Sequence, residues 1–68
     1  MLTPEYKKRM NIAELILNDY SLNTLTAQEA DAMLKALYQG NVTVKQQDRE
    51  RLGKYVRAHE AELEEMEQ

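Results

Sequence analysis

Thr26-Ala27-Gln28-Glu29-Ala30-Asp31-Ala32-Met33-Leu34-Lys35-Ala36-Leu37-Tyr38-Gln39-Gly40 reads as a helix whose two ends are both marked. Thr26 followed three residues later by Glu29 is the capping-box pattern, in which each residue's side chain meets a backbone N–H of the other. Gly40 suits the position just past the end, because glycine enters the left-handed conformation at little cost. Between these marks Ala27, Ala30, Met33, Leu34, Leu37 and Tyr38 recur at helical spacing and form one apolar face. The stretch predicts a helix over about 26–39 and an apolar face that other elements must cover.

The segment before it supplies one such element. Thr3 can cap, Pro4 suits the first helical position, and Glu5 complements the positive end of the helix dipole. Tyr6, Met10, Ala13, Leu17 and Tyr20 then follow at alternating spacings of four and three, and this stripe is expected to face the neighbouring helices. Ile12 and Ile16 widen the stripe, and Leu15 lies outside it. A helix in a small bundle needs an apolar arc of only about 100° or slightly more. Ile12, Leu15 and Ile16 are therefore read as a second contact, available to another protein. The helix is predicted over 4–20, with residues 21–25 as a connection.

On the other side, residues 41–43 read as a short turn. A third helix is predicted from Thr43 or Val44 to about residue 65. Val44, Leu52, Tyr55, Val56, His59, Leu63 and Met66 share its apolar face. A short strand over 42–44 would have no partner to pair with. Gly53 lies inside this helix, where glycine costs about 1 kcal/mol relative to alanine. The expected fold is all-α: one domain over 1–68, a three-helix bundle or open three-helix array (about 4–20, 26–39 and 43–65), with an acidic end at 58–68 that is free to fray.

Composition narrows the function. The 68 residues are 43% hydrophobic and 31% charged, too apolar for a wholly disordered chain. A core this small is marginal, and with Cys 0 no disulfide or thiolate metal site can reinforce it. Self-association or binding to a larger partner is the remaining route to added stability. The formal charge of −3 speaks against general binding to nucleic acid or membrane surfaces. No apolar run approaches the roughly 18 residues of a spanning helix, and the N-terminus lacks the apolar stretch of a secretory signal. A soluble, cytoplasmic protein is expected.

Catalytic chemistry finds little to work with. The chain has one His and one Ser; Ser21 falls in the first connection and His59 far along the last helix, so nothing in the spacing pairs them. His59 with Glu62 supplies too few ligands for a closed zinc site. A non-enzymatic role without a cofactor or metal is expected, with His59 at a contact that its titration near pH 6 would make pH-sensitive.

Charge placement points to a partner. Lys7, Lys8 and Arg9 sit near the start, whereas Glu60, Glu62, Glu64, Glu65 and Glu67 follow the last cation, Arg57. On continuous helices these signs oppose the helix dipoles. In an up-down-up bundle they would form a basic pole and an acidic pole, suited to an antiparallel second copy or to a strongly charged partner. The primary expectation is a small protein-binding module that docks on and modulates a larger protein or complex, as an inhibitor, antitoxin or adaptor does, with a homodimer as one form. Its expected contacts are Ile12, Leu15 and Ile16, with Glu62, Glu64 and Glu65 as an electrostatic element. One alternative is a small dimeric DNA- or RNA-binding regulator using Lys45, Arg49, Lys54 and Arg57. These cations spread around the helical wheel rather than gathering on one face. The other alternative is a structural subunit of an assembly.

Overall fold

A computed structural model of the chain describes residues 4–39 and 44–67. The fold is all-α, with helices α1 (Pro4–Ser21), α2 (Ala27–Gln39), α3 (Gln46–Ala58) and α4 (Glu60–Glu67). The expected cap at Thr3, the stop at Gly40 and the 41–43 turn lie outside the described residues. No helix among the described residues is long and apolar enough to cross a membrane.

The first two helices follow their local signals. Proline opens α1, with Glu5 in its first turn. The end of α1 is a Schellman motif built on asparagine. Asn23 takes the left-handed conformation at φ 61, the Asn23 N–H donates to the Tyr20 carbonyl at 3.1 Å, and the Thr24 N–H donates to the Asp19 carbonyl at 2.9 Å. Three residues after Asn23 the capping box forms as expected. The Thr26 N–H donates to Glu29 Oε1 at 3.1 Å, and the Glu29 N–H donates to Thr26 Oγ1 at 3.1 Å. The Thr26 backbone N–H, and after it the Thr26 hydroxyl, hold the Glu29 carboxyl below its ordinary pKa.

The third predicted helix is two helices. α3 starts at Gln46, with Lys45 as its cap residue in extended conformation and no side-chain bond. It ends at His59, whose N–H is shared between the Tyr55 and Val56 carbonyls at 3.2 Å each. Such three-centre bonds are typical of a tightening last turn. The His59 carbonyl then accepts from the Leu63 N–H at 3.0 Å, so one residue separates two helical runs.

This break alters the electrostatics expected of a continuous helix. Arg57 now lies in the last turn of α3 and Glu60 and Glu62 in the first turn of α4. Each of these sits where the dipole favours its sign. The break thus suits the charges on either side of it, whereas Glu64 and Glu65 still lie towards the end of α4, where no basic residue balances them.

α1 packs against both α2 and α4, and α2 also packs against α3. The core cluster is Ile12, Leu15 and Ile16 of α1, Ala30 and Met33 of α2, and Leu63 of α4, with Leu25, Leu34, Leu37, Leu52, Tyr55, Val56 and Met66 packed around it. Ile16 at 0% and Met33 at 1% exposure are its centre. Ala36 is buried as well, so small side chains on α2 face a neighbouring element. The molecule measures 31 × 29 × 18 Å, a slab rather than a sphere.

Candidate functional site

The two apolar faces of α1 are exchanged relative to expectation. Ile12, Leu15 and Ile16, assigned to a partner, are the buried centre of the chain's own core. Tyr6, Met10, Leu17 and Tyr20, assigned to the core, are 46%, 45%, 53% and 46% exposed. Branched aliphatic side chains are the types most often fully buried, whereas tyrosine carries a hydroxyl that favours a wet boundary. The outer stripe keeps its four-three spacing, with the buried Ala13 at its middle. That spacing is the seam of a coiled coil, in which apolar residues repeat every 3.5 residues on average. Met10 and Leu17 occupy one seam position and Tyr6, Ala13 and Tyr20 the other. The exposed Arg9 and Glu14 fall at the charged flanking positions, one on either side of the seam.

A second feature lies on α3. Arg49, Glu50, Gly53, Lys54 and Arg57 line a cleft of about 300 Å³. Three of the four cations proposed for nucleic acid therefore gather on one side, contrary to their expected spread; Lys45, the cap residue, does not line the cleft. Glu50 is the one carboxylate in the wall, and its Oε1 accepts from Gln46 Nε2 at 3.3 Å. Asp48 lies at a long 3.9 Å from Arg51. No salt bridge joins Lys54 or Arg57 to a carboxylate among the described residues.

The third feature is polar and half-buried. The Tyr55 hydroxyl donates to Asp19 Oδ2, tying α3 to the end of α1. His59 Nδ1 lies 2.9 Å from the Tyr55 carbonyl oxygen. A carbonyl only accepts, so Nδ1 carries the proton. Nε2 then faces Asp19 Oδ2 at 3.6 Å. The Tyr55 and His59 rings lie against each other, with centroids 4.3 Å apart. Burial, the Asp19 bond, the Asp19 charge and the Glu62 charge, in that order, raise the Tyr55 hydroxyl well above its ordinary pKa of 10.0. Ser21 takes no part: its hydroxyl donates to the Asn18 carbonyl at 2.7 Å. The cluster is a lock between helices, and His59 serves it within the chain.

The glutamates do not make one surface. Glu60 and Glu64 line a cleft of about 290 Å³ with Lys8, Val56 and Leu63. Glu62 acts on Tyr55 instead, and Glu65 is exposed. Lys8 is thus brought to the acidic helix rather than to an opposite pole. Sequence reasoning also missed Asp19, which periodicity marked only as a helix end. Its partners Tyr55 and His59 lie far along the chain, and no local signal pairs them.

Comparison with known proteins gives no match: no family model, no curated protein and no solved structure matches the chain.

Proposed function

We propose that this chain is a non-enzymatic protein-binding module that docks through the outer face of α1, and that the occupant best fitted to that face is a second copy of α1. The observation that carries this is the exposed four-three stripe of Tyr6, Met10, Leu17 and Tyr20. Singly exposed apolar residues are ordinary; a row of them at seam spacing on one helix is the pattern that helix pairing uses.

Charge selects the orientation. In a parallel pair, a flanking residue meets the residue five positions further along on the partner. Arg9 and Glu14 stand five apart on opposite flanks, so a parallel pair forms the same salt bridge twice. From Tyr6 to Tyr20 the seam rises about 21 Å, at about 1.5 Å per residue. That is two heptads, short enough that pairing is expected to be reversible. Inhibitor, antitoxin and adaptor roles all remain forms of this docking function, with the pair presenting two copies of every other surface to a larger partner.

Sedimentation equilibrium tests the proposal. The wild type is expected to show a concentration-dependent dimer that Leu17→Glu reduces to monomer without loss of helicity. Arg9→Glu is expected to weaken the dimer, and adding Glu14→Arg to restore it. A wild type that stays monomeric at millimolar concentration rejects self-pairing, and an unrestored double variant rejects the parallel orientation.

A further inference from the structure

Gly53 has no reason to be glycine in the fold of this chain. It lies inside α3, where glycine costs about 1 kcal/mol relative to alanine. An added Cβ would meet only Arg57 Nη1, at 3.6 Å, which is ordinary van der Waals contact. Packing therefore leaves room for alanine, and helix propensity favours it. The glycine instead leaves a notch in the wall of the α3 cleft. Arg49 and Arg57 stand one turn before and after it, and Lys54 beside it. Glycine is the residue that lets a ligand approach the backbone closely. Guanidinium groups present paired N–H donors that match phosphate oxygens, and an ammonium adds a point charge.

We infer that the α3 notch binds a phosphate group, held between Arg49 and Arg57 over Gly53 with Lys54 at its side. Lys54 and Arg57, neither in a salt bridge among the described residues, outnumber the single carboxylate of Glu50 in the cleft wall and give it a positive field in a protein of net charge −3. Glu50 faces its neighbour Gln46, which donates to it at 3.3 Å. The site is on α3, independent of the α1 stripe, so either proposal can fail without the other.

The test is a titration at low salt with inorganic pyrophosphate, and separately with a single-stranded DNA dodecamer, read by amide NMR shifts. Pyrophosphate is expected to saturate shifts centred on residues 49–57. Gly53→Ala is the informative variant: it is expected to raise the melting temperature while weakening pyrophosphate binding at least tenfold. Lys54→Gln and Arg57→Gln are expected to weaken binding with folding intact. Should the dodecamer bind more tightly than pyrophosphate, with a salt dependence that Arg57→Gln reduces, the phosphate belongs to a nucleic-acid backbone. Should only pyrophosphate bind, it belongs to a small phosphorylated ligand. No saturable shift with either probe overturns the inference, and so does binding that Gly53→Ala leaves unchanged.

Discussion

Asp19 is the residue on which the closure of this fold turns. Its backbone carbonyl takes the long bond of the Schellman motif, and its carboxylate receives the Tyr55 hydroxyl and faces His59. Hydrogen bonds to a charged group contribute about 1.5–3 kcal/mol, so Tyr55→Phe is expected to cost roughly 1.5 kcal/mol in denaturant unfolding. The pH dependence has a definite sign. The folded state keeps the phenol protonated above its ordinary pKa of 10.0. Stability from this group is therefore intact below that pH and is lost as pH rises above it. The gap between wild type and Tyr55→Phe should be constant at neutral pH and narrow in alkali; a gap that widened there would refute the account. None of this could be read from the sequence, because a pairing across 36 positions leaves no periodic trace.

At the scale of elements, the chain's local signals performed unevenly. Thr26 with Glu29 placed the start of α2 correctly, because a capping box is a complete chemical arrangement within four residues. The end of α1 carries an equally local device, marked by asparagine in place of glycine and so harder to read. Asn23 at φ 61 predicts a clear ordering. Asn23→Ala should cost about 1 kcal/mol, because alanine keeps the Cβ strain but loses the short polar side chain that offsets it, while Asn23→Gly, which removes the strain, should be neutral or stabilising. Equal thermal stability of the two variants would deny the motif any energetic weight. The break at His59 was hidden by an apolar face that runs on from Val56 to Leu63 in register. Its legible sign was the change from Arg57 to Glu60, the charge order of one helix ending and another beginning.

For the whole molecule, the helical class and the core positions Ala30, Met33 and Leu63 were legible, and the orientation of α1 was not. A helix apolar on two sides fits a bundle either way round when only spacing is considered. Residue type resolves it: Ile12, Leu15 and Ile16 go inside, and the tyrosines with Met10 and Leu17 outside. Truncation should separate the faces sharply. Ile16→Ala is expected to cost about 2–5 kcal/mol, as for other fully buried aliphatic side chains. Marginal stability of about 0.05–0.15 kcal/mol per residue makes that a large part of the total for a domain of this size. Leu17→Ala, one position on, is expected to cost under about 1 kcal/mol in the monomer, apart from any effect on pairing. Comparable losses at the two positions would mean that α1 is buried on both sides. The slab shape fits the asymmetry: with extents of 31 × 29 × 18 Å, a helix packed against α2 and α4 still has a side open to solvent.

The bond from Tyr55 to Asp19 also gives the protein a built-in optical reporter. With Trp 0 and Tyr 4, tyrosine supplies all of its ultraviolet emission. A phenol that donates to a carboxylate emits weakly at the usual tyrosine wavelength, because the excited ring passes its proton to the acceptor. Tyr55 is therefore expected to be dim while α3 is tied to α1 and to brighten when the tie opens, whereas Tyr6, Tyr20 and Tyr38 are about half exposed already. Intrinsic fluorescence should rise on unfolding, and a stopped-flow trace of that rise would time the separation of these two helices without any attached dye.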